Sequence, residues 1–575
     1  MPGSPPLIRA PSRIPALCCA ALWLACISCA RRAPTTPPPG PEDHWPPQRG
    51  GKAVFVREED PDYLDPALSY GSYSAPVTEA IYHTLLDYEH RPGPAGTQLV
   101  PDLADGLPEI REGGTLYCFR IRREARFGAP LHRHITAADF KYALERLFRV
   151  SSPGVDFFRR VAGAERILAG RDSVLGGVIA RGDSLYVRIV RPDPVFLEIL
   201  AMPFTAPVPR EVAERYPNSL SQHTVATGPF QVAEFTPRRR VLLVRNPDYC
   251  GAPAWLDTFE LRLGVTATNA VSLIKKGLAQ GGFFEVPPAD FARLRRDSLW
   301  KHQIEVADGL NTEYLFMNVR RRPFDDVRVR QAVAWALDRR ALLKVYSGKG
   351  VVAGEFLPPG MPGAARLGYY QGPDPARARR LLREAGYPDG FGTKLYGWTT
   401  QPGPRLLSIV QQELEEVGIR VELDLGEAVG YTSMAQDTSR HVPFGIYSWY
   451  ADYIDPSNFF DVLLNGHRIA AVNNNDLSLF DDPAINDRIE RAMGTEDDST
   501  RARLWREIDR AVMEQAPVVP MYHVFESRLY GLWLGGWYRH PTRILKLEDL
   551  FVKRGVALVL DRPRRGSPPR LAAAP

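Results

Sequence analysis

Beyond residue 29 the 575-residue sequence contains only two cysteines, Cys118 and Cys250; the other four of its six, Cys18, Cys19, Cys26 and Cys29, crowd the first 29 positions. Two distant cysteines exclude a disulfide framework and a zinc-finger array. They are open to pairing in an oxidising compartment or to burial as free thiols, because sequence gives no distance between them. The body also lacks net charge. The formal total is +5, but Arg9, Arg13 and a 561–575 tail with four arginines against one aspartate account for all of it. A neutral body excludes the electrostatic footprint of a nucleic-acid binder. No apolar run after the first 29 residues is long enough to span a bilayer. The phosphate loop, the dinucleotide fingerprint, the Gly-x-Ser-x-Gly elbow and the zinc helix His-Glu-x-x-His are all missing, which excludes the enzyme classes that announce themselves by motif.

What is present is a large folding chain, with 44% hydrophobic and 24% charged residues. Its length suits several domains or a large two-lobed α/β protein. Arg9 and Arg13 are followed by the apolar run IPALCCAALWLACIS, which matches a secretory h-region and is short for a membrane-spanning helix. Export is therefore expected. Ile27-Ser28 before Cys29 reads as a lipoprotein-type processing site, with residues 1–28 as signal peptide and Cys29 lipidated; Cys26, or simple cleavage and release, is the alternative. The Pro-rich stretch 29–51 then reads as an extended tether, and the basic tail 561–575 as a disordered end.

Within the body, apolar residues alternate at Val54 and Val56, at Tyr117, Phe119 and Ile121, at Leu185, Val187 and Ile189, and at Phe259, Leu261 and Leu263, which predicts half-buried strands. Thr136 with Asp139 three places on predicts a helix start before Phe140, Leu144, Leu147 and Phe148. From 312 to 525 helical stripes dominate. Val329, Val333, Ala336 and Leu337 form one, Ala378, Leu381, Leu382 and Ala385 another, with Gly386 as a cap. Leu406, Val410, Leu414 and Val417 form a third, which stops at Gly418 and feeds an alternating strand from Ile419 to Leu425, an α/β unit. Helices near 483–493 and 502–514 precede VVPMYHVF, a buried strand. His132 and His134 are two candidate metal ligands with no third nearby, so neither a metal site nor a cofactor is expected. The acidic clusters Asp481-Asp482 and Glu496-Asp497-Asp498 adjoin helix ends, where negative charge is favoured.

Six segments, in this order and spacing, resemble one family: LDPALSYGSYSAPVTEAIYHTLLDYE (64–89), LVPDLADGL (99–107), FGAPLHRHITAADFKYALERL (127–147), TGPFQVAEF with RNPDYCG (227–251), YLFMNVRRRPFDDVRVRQAVAWALDR (314–339) and SWYADYIDPSNFFDVLL (448–464). The chain is identified as a member of the extracytoplasmic solute-binding proteins of peptide-type ABC transporters, the dipeptide, oligopeptide and nickel-binding family 5. The resemblance implies a two-lobed α/β fold of the periplasmic-binding-protein kind, type II and of the large peptide-binding class, with an extra subdomain in the N-terminal lobe. It places that lobe at 52–305 with the subdomain at about 86–204, the C-terminal lobe at 306–525, and a return to the first lobe at 526–560.

The resemblance also implies a site. Asp452 matches the aspartate that pairs with a peptide's α-ammonium, and Ser448 and Tyr450 match positions whose backbone bonds the peptide main chain. From the residues alone Asp452 is equally a turn aspartate before Asp455-Pro456. Trp449 matches an aromatic able to cover the ligand, or is a core residue; Tyr70, Gly71 and Ser72 fall where the first lobe faces the ligand, or on an exposed turn. Arg440 and His441 lie where oligopeptide binders place a cation for the ligand's carboxylate, with altered spacing. Cys250 replaces an aromatic of the Asn-Pro-Asp-Tyr turn. The implied function is binding of short peptides between lobes that close by a hinge, for import through an ABC permease and its ATPase subunits, by a lipid-anchored, monomeric, non-enzymatic protein of the periplasm or cell envelope. A binder of another solute such as a metal chelate or oligosaccharide, an envelope sensor or chaperone, and a hydrolase are the alternatives.

Overall fold

The computed structural model describes residues 45–554 apart from 72, 73, 347 and 544, and the backbone of short strands at 556–557 and 572–573. The expected signal peptide, Cys29, most of the expected tether, Ser72 and nearly all of the basic tail lie outside the described residues. No helix among them is long and apolar enough to cross a membrane.

The alternating segments predicted from sequence form strands. Lys52–Val56 buries everything after Lys52 and pairs in parallel with Thr258–Arg262 and with Gly281–Gly282. Antiparallel strands Arg240–Arg245 and Phe230–Thr236 complete a five-stranded sheet. Phe55 meets Phe259 and Phe283 at ring distances of 5.1 and 5.3 Å in its core. Beside it stands a four-stranded antiparallel sheet built from Glu109–Arg111, Leu116–Arg120, Ser184–Arg188 and Val178–Arg181. Helix Ala137–Arg149 packs on this sheet. It begins with the expected capping box, in which the Asp139 carboxylate accepts the Thr136 N–H at 2.9 Å.

The sequence reads Gly228-Pro229 as a tight turn, and the structure gives the glycine a different reason. Its φ is not left-handed; instead a Cβ there would sit 2.8 Å from the Ala80 carbonyl oxygen and from the His83 ring, so the close approach of two chain segments demands glycine.

The second lobe is organised around strand Asn311–Met317, buried throughout. It lies between Phe444–Tyr450 and Val518–Leu529, both antiparallel to it, and Phe391–Trp398 and Ile419–Gly426 extend the sheet in parallel. The helix Gly403–Glu415 feeds that last strand through Gly418, whose φ of +97° only glycine adopts freely. Helix Val327–Ala336 starts where the Asp326 carboxylate accepts the Arg328 N–H at 2.8 Å.

Strand Val518–Leu529 is longer than the apolar run VVPMYHVF suggests. Its first half pairs with Asn311–Met317 and its second half with Ile304–Asp308, so one strand runs from one lobe toward the other. Leu529 and Leu532 then pack with Val54 and Val56 in the first lobe. Cys118 and Cys250 are both free thiols, and burial pushes Cys250 up to about 12.

Candidate ligand-binding site

The chain leaves strand Phe444–Tyr450 through a loop at 451–456 and enters helix Ser457–Leu464, every residue of which is buried. Asp455 starts this helix, accepting the Ser457 N–H at 2.9 Å while pairing with Arg501 at 2.6 Å. Asn458, fully buried on the first turn, organises the loop. Its Oδ1 accepts the Trp449 indole N–H at 2.9 Å and the Asp452 backbone N–H at 3.1 Å, and its Nδ2 donates to Asp452 Oδ2 at 3.0 Å. The second donor to the carboxylate comes from the other lobe. Tyr70 donates its hydroxyl to the same Asp452 oxygen at 3.0 Å across 382 positions of sequence.

The Tyr70 ring stands against Phe204, Phe157 and Trp449 at 5.5, 6.3 and 6.5 Å, and Phe157 meets Tyr453 at 6.4 Å. Aromatic surface from both lobes therefore surrounds the carboxylate. The loop carrying Tyr70 is held from behind, since Asp62 accepts the Gly71 N–H at 2.9 Å. More polar contacts cross between the lobes: Arg191 and Arg160 reach Glu490, the latter at 3.6 Å, and Arg468 donates to the Asp156 carbonyl at 2.6 Å. The lobes are shut.

Burial raises the Asp452 carboxyl to about 6, although its hydrogen bonds from Asn458 and Tyr70 favour the charged form. Both donors are neutral, and among the described residues no cation pairs with Asp452. A second acid shares this condition. Glu313 sits on the central strand beside Ser448, whose hydroxyl donates to Glu313 Oε1, and burial raises it to about 7. Its Oε2 has no hydrogen-bond partner among the described residues.

The consequence for stability has a definite sign. Between the ordinary value of 4.5 and about 7 the folded protein keeps a proton on Glu313 that the unfolded chain releases, so this stability is present at low pH and lost as pH rises through 7. Glu313→Gln, neutral at every pH, is therefore expected to gain on the order of 3 kcal/mol over the parent above pH 7 and little at pH 4. Melting curves at pH 5 and pH 8 check this: a Tm difference that does not grow with pH contradicts a buried, unneutralised Glu313.

The backbone around Asp452 has an open edge. In Phe444–Tyr450 the odd-numbered residues face Asn311–Met317, as the bond from Ala451 N–H to the Leu310 carbonyl at 2.8 Å continues. Alternation then turns the backbone groups of residues 446, 448 and 450 the other way. The Ile446 carbonyl is taken by the Tyr431 hydroxyl at 2.6 Å. On that edge the parallel strand Phe391–Trp398 pairs only at Gly445, so no described strand covers Ser448 or Tyr450.

The structure thus brings together Asp452, Trp449, Ser448, Tyr450 and Tyr70 from the residues expected at the site. Trp449 is 5% exposed with its indole N–H satisfied, and it packs as well as lines. Gly71 spends its N–H on Asp62. Arg440 is not brought in: it lies on an exposed turn, paired with Asp437 at 3.4 Å, and none of its contacts is with this group. Asn458, Glu313, Phe157 and Phe204 were not read from the sequence. Glu313 carried a signal, an acid inside the otherwise uncharged strand NTEYLFM; the others carried none, since aromatics and asparagine near a helix start are common.

Residues 98–470 match the family described as bacterial extracellular solute-binding proteins, family 5. The chain is 27% identical over 499 residues to the dipeptide-binding protein of Escherichia coli strain K12, covering 82% of this chain and 90% of that one. Among solved structures it is similar to clavulanic acid biosynthesis oligopeptide binding protein 2, with a TM-score of 0.77 at 26% identity over 88% of this chain and 96% of the other. The fold also matches the Escherichia coli murein tripeptide binding protein MppA at 21% identity over 88% of this chain. Here the TM-score is 0.76, against 0.64 for the unliganded open form of MppA. With two lobes closed on a buried carboxylate and a match across most of its length, the chain belongs to the bacterial extracellular solute-binding proteins of family 5.

Proposed function

We propose that this protein is the extracytoplasmic binding component of an ABC importer and that it closes on short peptides. Asp452 carries this reading. A carboxylate shut between two lobes, with only neutral donors around it, is stabilised by a cationic ligand group, and the α-ammonium of a peptide supplies one in every sequence. The uncovered backbone of Ser448 and Tyr450 supplies main-chain pairing, which ignores side-chain identity. The aromatic surface of Tyr70, Phe157, Phe204 and Trp449 covers the amino end. Relatives named for dipeptide and oligopeptide binding support the same assignment.

In this reading the ligand is released intact to a permease and its ATPase subunits, and the protein acts as a monomer tethered to the membrane by a lipid on Cys29. The h-region and the Pro-rich stretch after it support the tether, and mass analysis of the mature N-terminus tests it. For the ligand, calorimetric titration with di-, tri- and pentapeptides, each free and N-acetylated, is the direct test. Free-amine peptides are expected to bind at least tenfold more tightly than their acetylated forms; equal affinities, or binding of neither, overturn the assignment.

Closure itself has a prediction. Glu490 of the second lobe meets Arg160 and Arg191 of the first. Glu490→Gln removes this partner while leaving the Arg160–Asp193 pair at 2.8 Å intact within the first lobe. Partly exposed ion pairs contribute about 1 kcal/mol or less, so peptide affinity is expected to fall a few-fold. Solution scattering without ligand should show a larger radius of gyration. An unchanged radius and affinity refute the contact's role in closing.

A further inference from the structure

Away from the cleft, segment 83–90 and the chain returning near 548 enclose a group of titratable side chains that the ligand site does not use. His83, Asp87 and Glu548 are all buried, and one ligand atom from each lies within 4.8 Å of the others. His90 reaches the same two carboxylates, its Nε2 lying 3.4 Å from Asp87 and 3.6 Å from Glu548. Each imidazole is backed by a carboxylate at Nδ1: Asp102 lies 2.7 Å from His83, and Asp549 lies 3.2 Å from His90. This is how histidine ligands of zinc are held, because the backing carboxylate fixes the tautomer that leaves Nε2 free to ligate.

Two of these atoms make no hydrogen bond. His83 Nε2 and Glu548 Oε1 have no hydrogen bond among the described residues, although their side chains are only 5% and 7% exposed. His83, Asp87 and Asp102 border a cavity of about 10 Å³, the size of one water or one ion, with Glu79, Arg543 and Lys546 on its other walls; His90 and Glu548 stand outside its lining. Five carboxylates, those of Glu79, Asp87, Asp102, Glu548 and Asp549, gather here with Arg543, Lys546 and the two imidazoles.

The geometry points to a binding site for a divalent transition ion of the zinc class, with His83 Nε2, His90 Nε2 and carboxylate oxygens of Asp87 and Glu548 as ligands. Mixed imidazole and carboxylate donors suit Zn²⁺, whereas Ca²⁺ and Mg²⁺ take oxygen ligands. Bonds of about 2.0–2.2 Å draw the four atoms inward from their present spacing. Lys546, in contact with Asp87 and 3.7 Å from Glu548, already pairs with both carboxylates, so the ion competes with its ammonium for them. The ion staples the early segment of the first lobe to its last turn, 459 positions apart for His90 and Asp549. It has no contact with Asp452.

The test uses the full chain stripped with a chelator and then equilibrated with ZnCl₂ alone. One Zn²⁺ per chain is expected after desalting, with Tm raised by about 3 °C at a hundredfold excess over Kd. His83→Gln and His90→Gln should each weaken zinc at least tenfold, whereas His132→Gln, at an exposed surface histidine paired with Asp248, should not. X-ray absorption at the zinc edge of the parent protein, which needs no variant to fold, should show only nitrogen and oxygen neighbours with imidazole scattering. Zinc that fails to be retained, shows sulfur neighbours, or binds His83→Gln and His90→Gln as tightly as the parent overturns the site and leaves Lys546 as the group's counter-ion.

Discussion

Asp452→Asn is expected to weaken free-amine peptides by roughly 30- to 5000-fold, corresponding to about 2–5 kcal/mol for removing one member of a buried charge pair, and to change N-acetylated peptides little. Asparagine keeps the size of the side chain and can still accept from Tyr70 and Asn458, which donate to Asp452 Oδ2 at 3.0 Å each. What is lost is the charge. The pH dependence follows with a definite sign. Burial between the shut lobes raises Asp452 to about 6, so its proton must leave before the carboxylate can meet an ammonium. Affinity for free-amine peptides should therefore fall as pH drops below about 6, and the pH dependence should vanish in Asp452→Asn. Titrations at pH 5 and pH 8 on both proteins decide it. Equal losses for free and acetylated peptides would mean that Asp452 holds the loop, not the ligand.

Arg146→Met is expected to lower stability by about 3–5 kcal/mol, the cost of leaving a buried carboxylate without its cation. Arg146 on helix Ala137–Arg149 donates to both oxygens of Asp65, at 2.7 Å to Oδ1, with side-chain exposures of 5% and 3%. Asp65 also accepts the Ala67 N–H at 3.0 Å, and its carbonyl accepts the Leu68 and Ser69 N–H groups, so this pair anchors the loop that delivers Tyr70 to the cleft. Loss of the pair should reduce peptide affinity as well as Tm. Replacing both partners, Asp65→Leu with Arg146→Met, should restore much of the stability, because no orphaned charge remains. Chemical denaturation of the single and double variants measures it. A single variant as stable as the parent would contradict the pair's burial.

Much of the framework was legible because it rests on local periodicity. The alternation at Val54 and Val56, the capping box at Thr136 and Asp139, and the helix-to-strand passage through Gly418 each declare themselves within a few residues, and each is found. Gly228 shows the limit of local reasoning. Its neighbour Pro229 suggested a turn, but the glycine answers to Ala80 and His83 more than 140 positions away. The site was legible only in part and by resemblance. The segment 448–456 pointed to Asp452, while Arg440, placed by the same resemblance, stays on its own turn with Asp437.

Sequence by itself determined the kinds of element, their order and the family, and by resemblance it singled out Asp452, because these depend on short-range pattern and on motifs that travel with the chain. Only the tertiary structure decided which groups that acid meets and whether it is neutralised. Tyr70 reaches Asp452, and His90 reaches Asp549, through contacts separated by 382 and 459 positions. Burial and charge balance are properties of everything within a few ångströms, and no spacing along the chain encodes them.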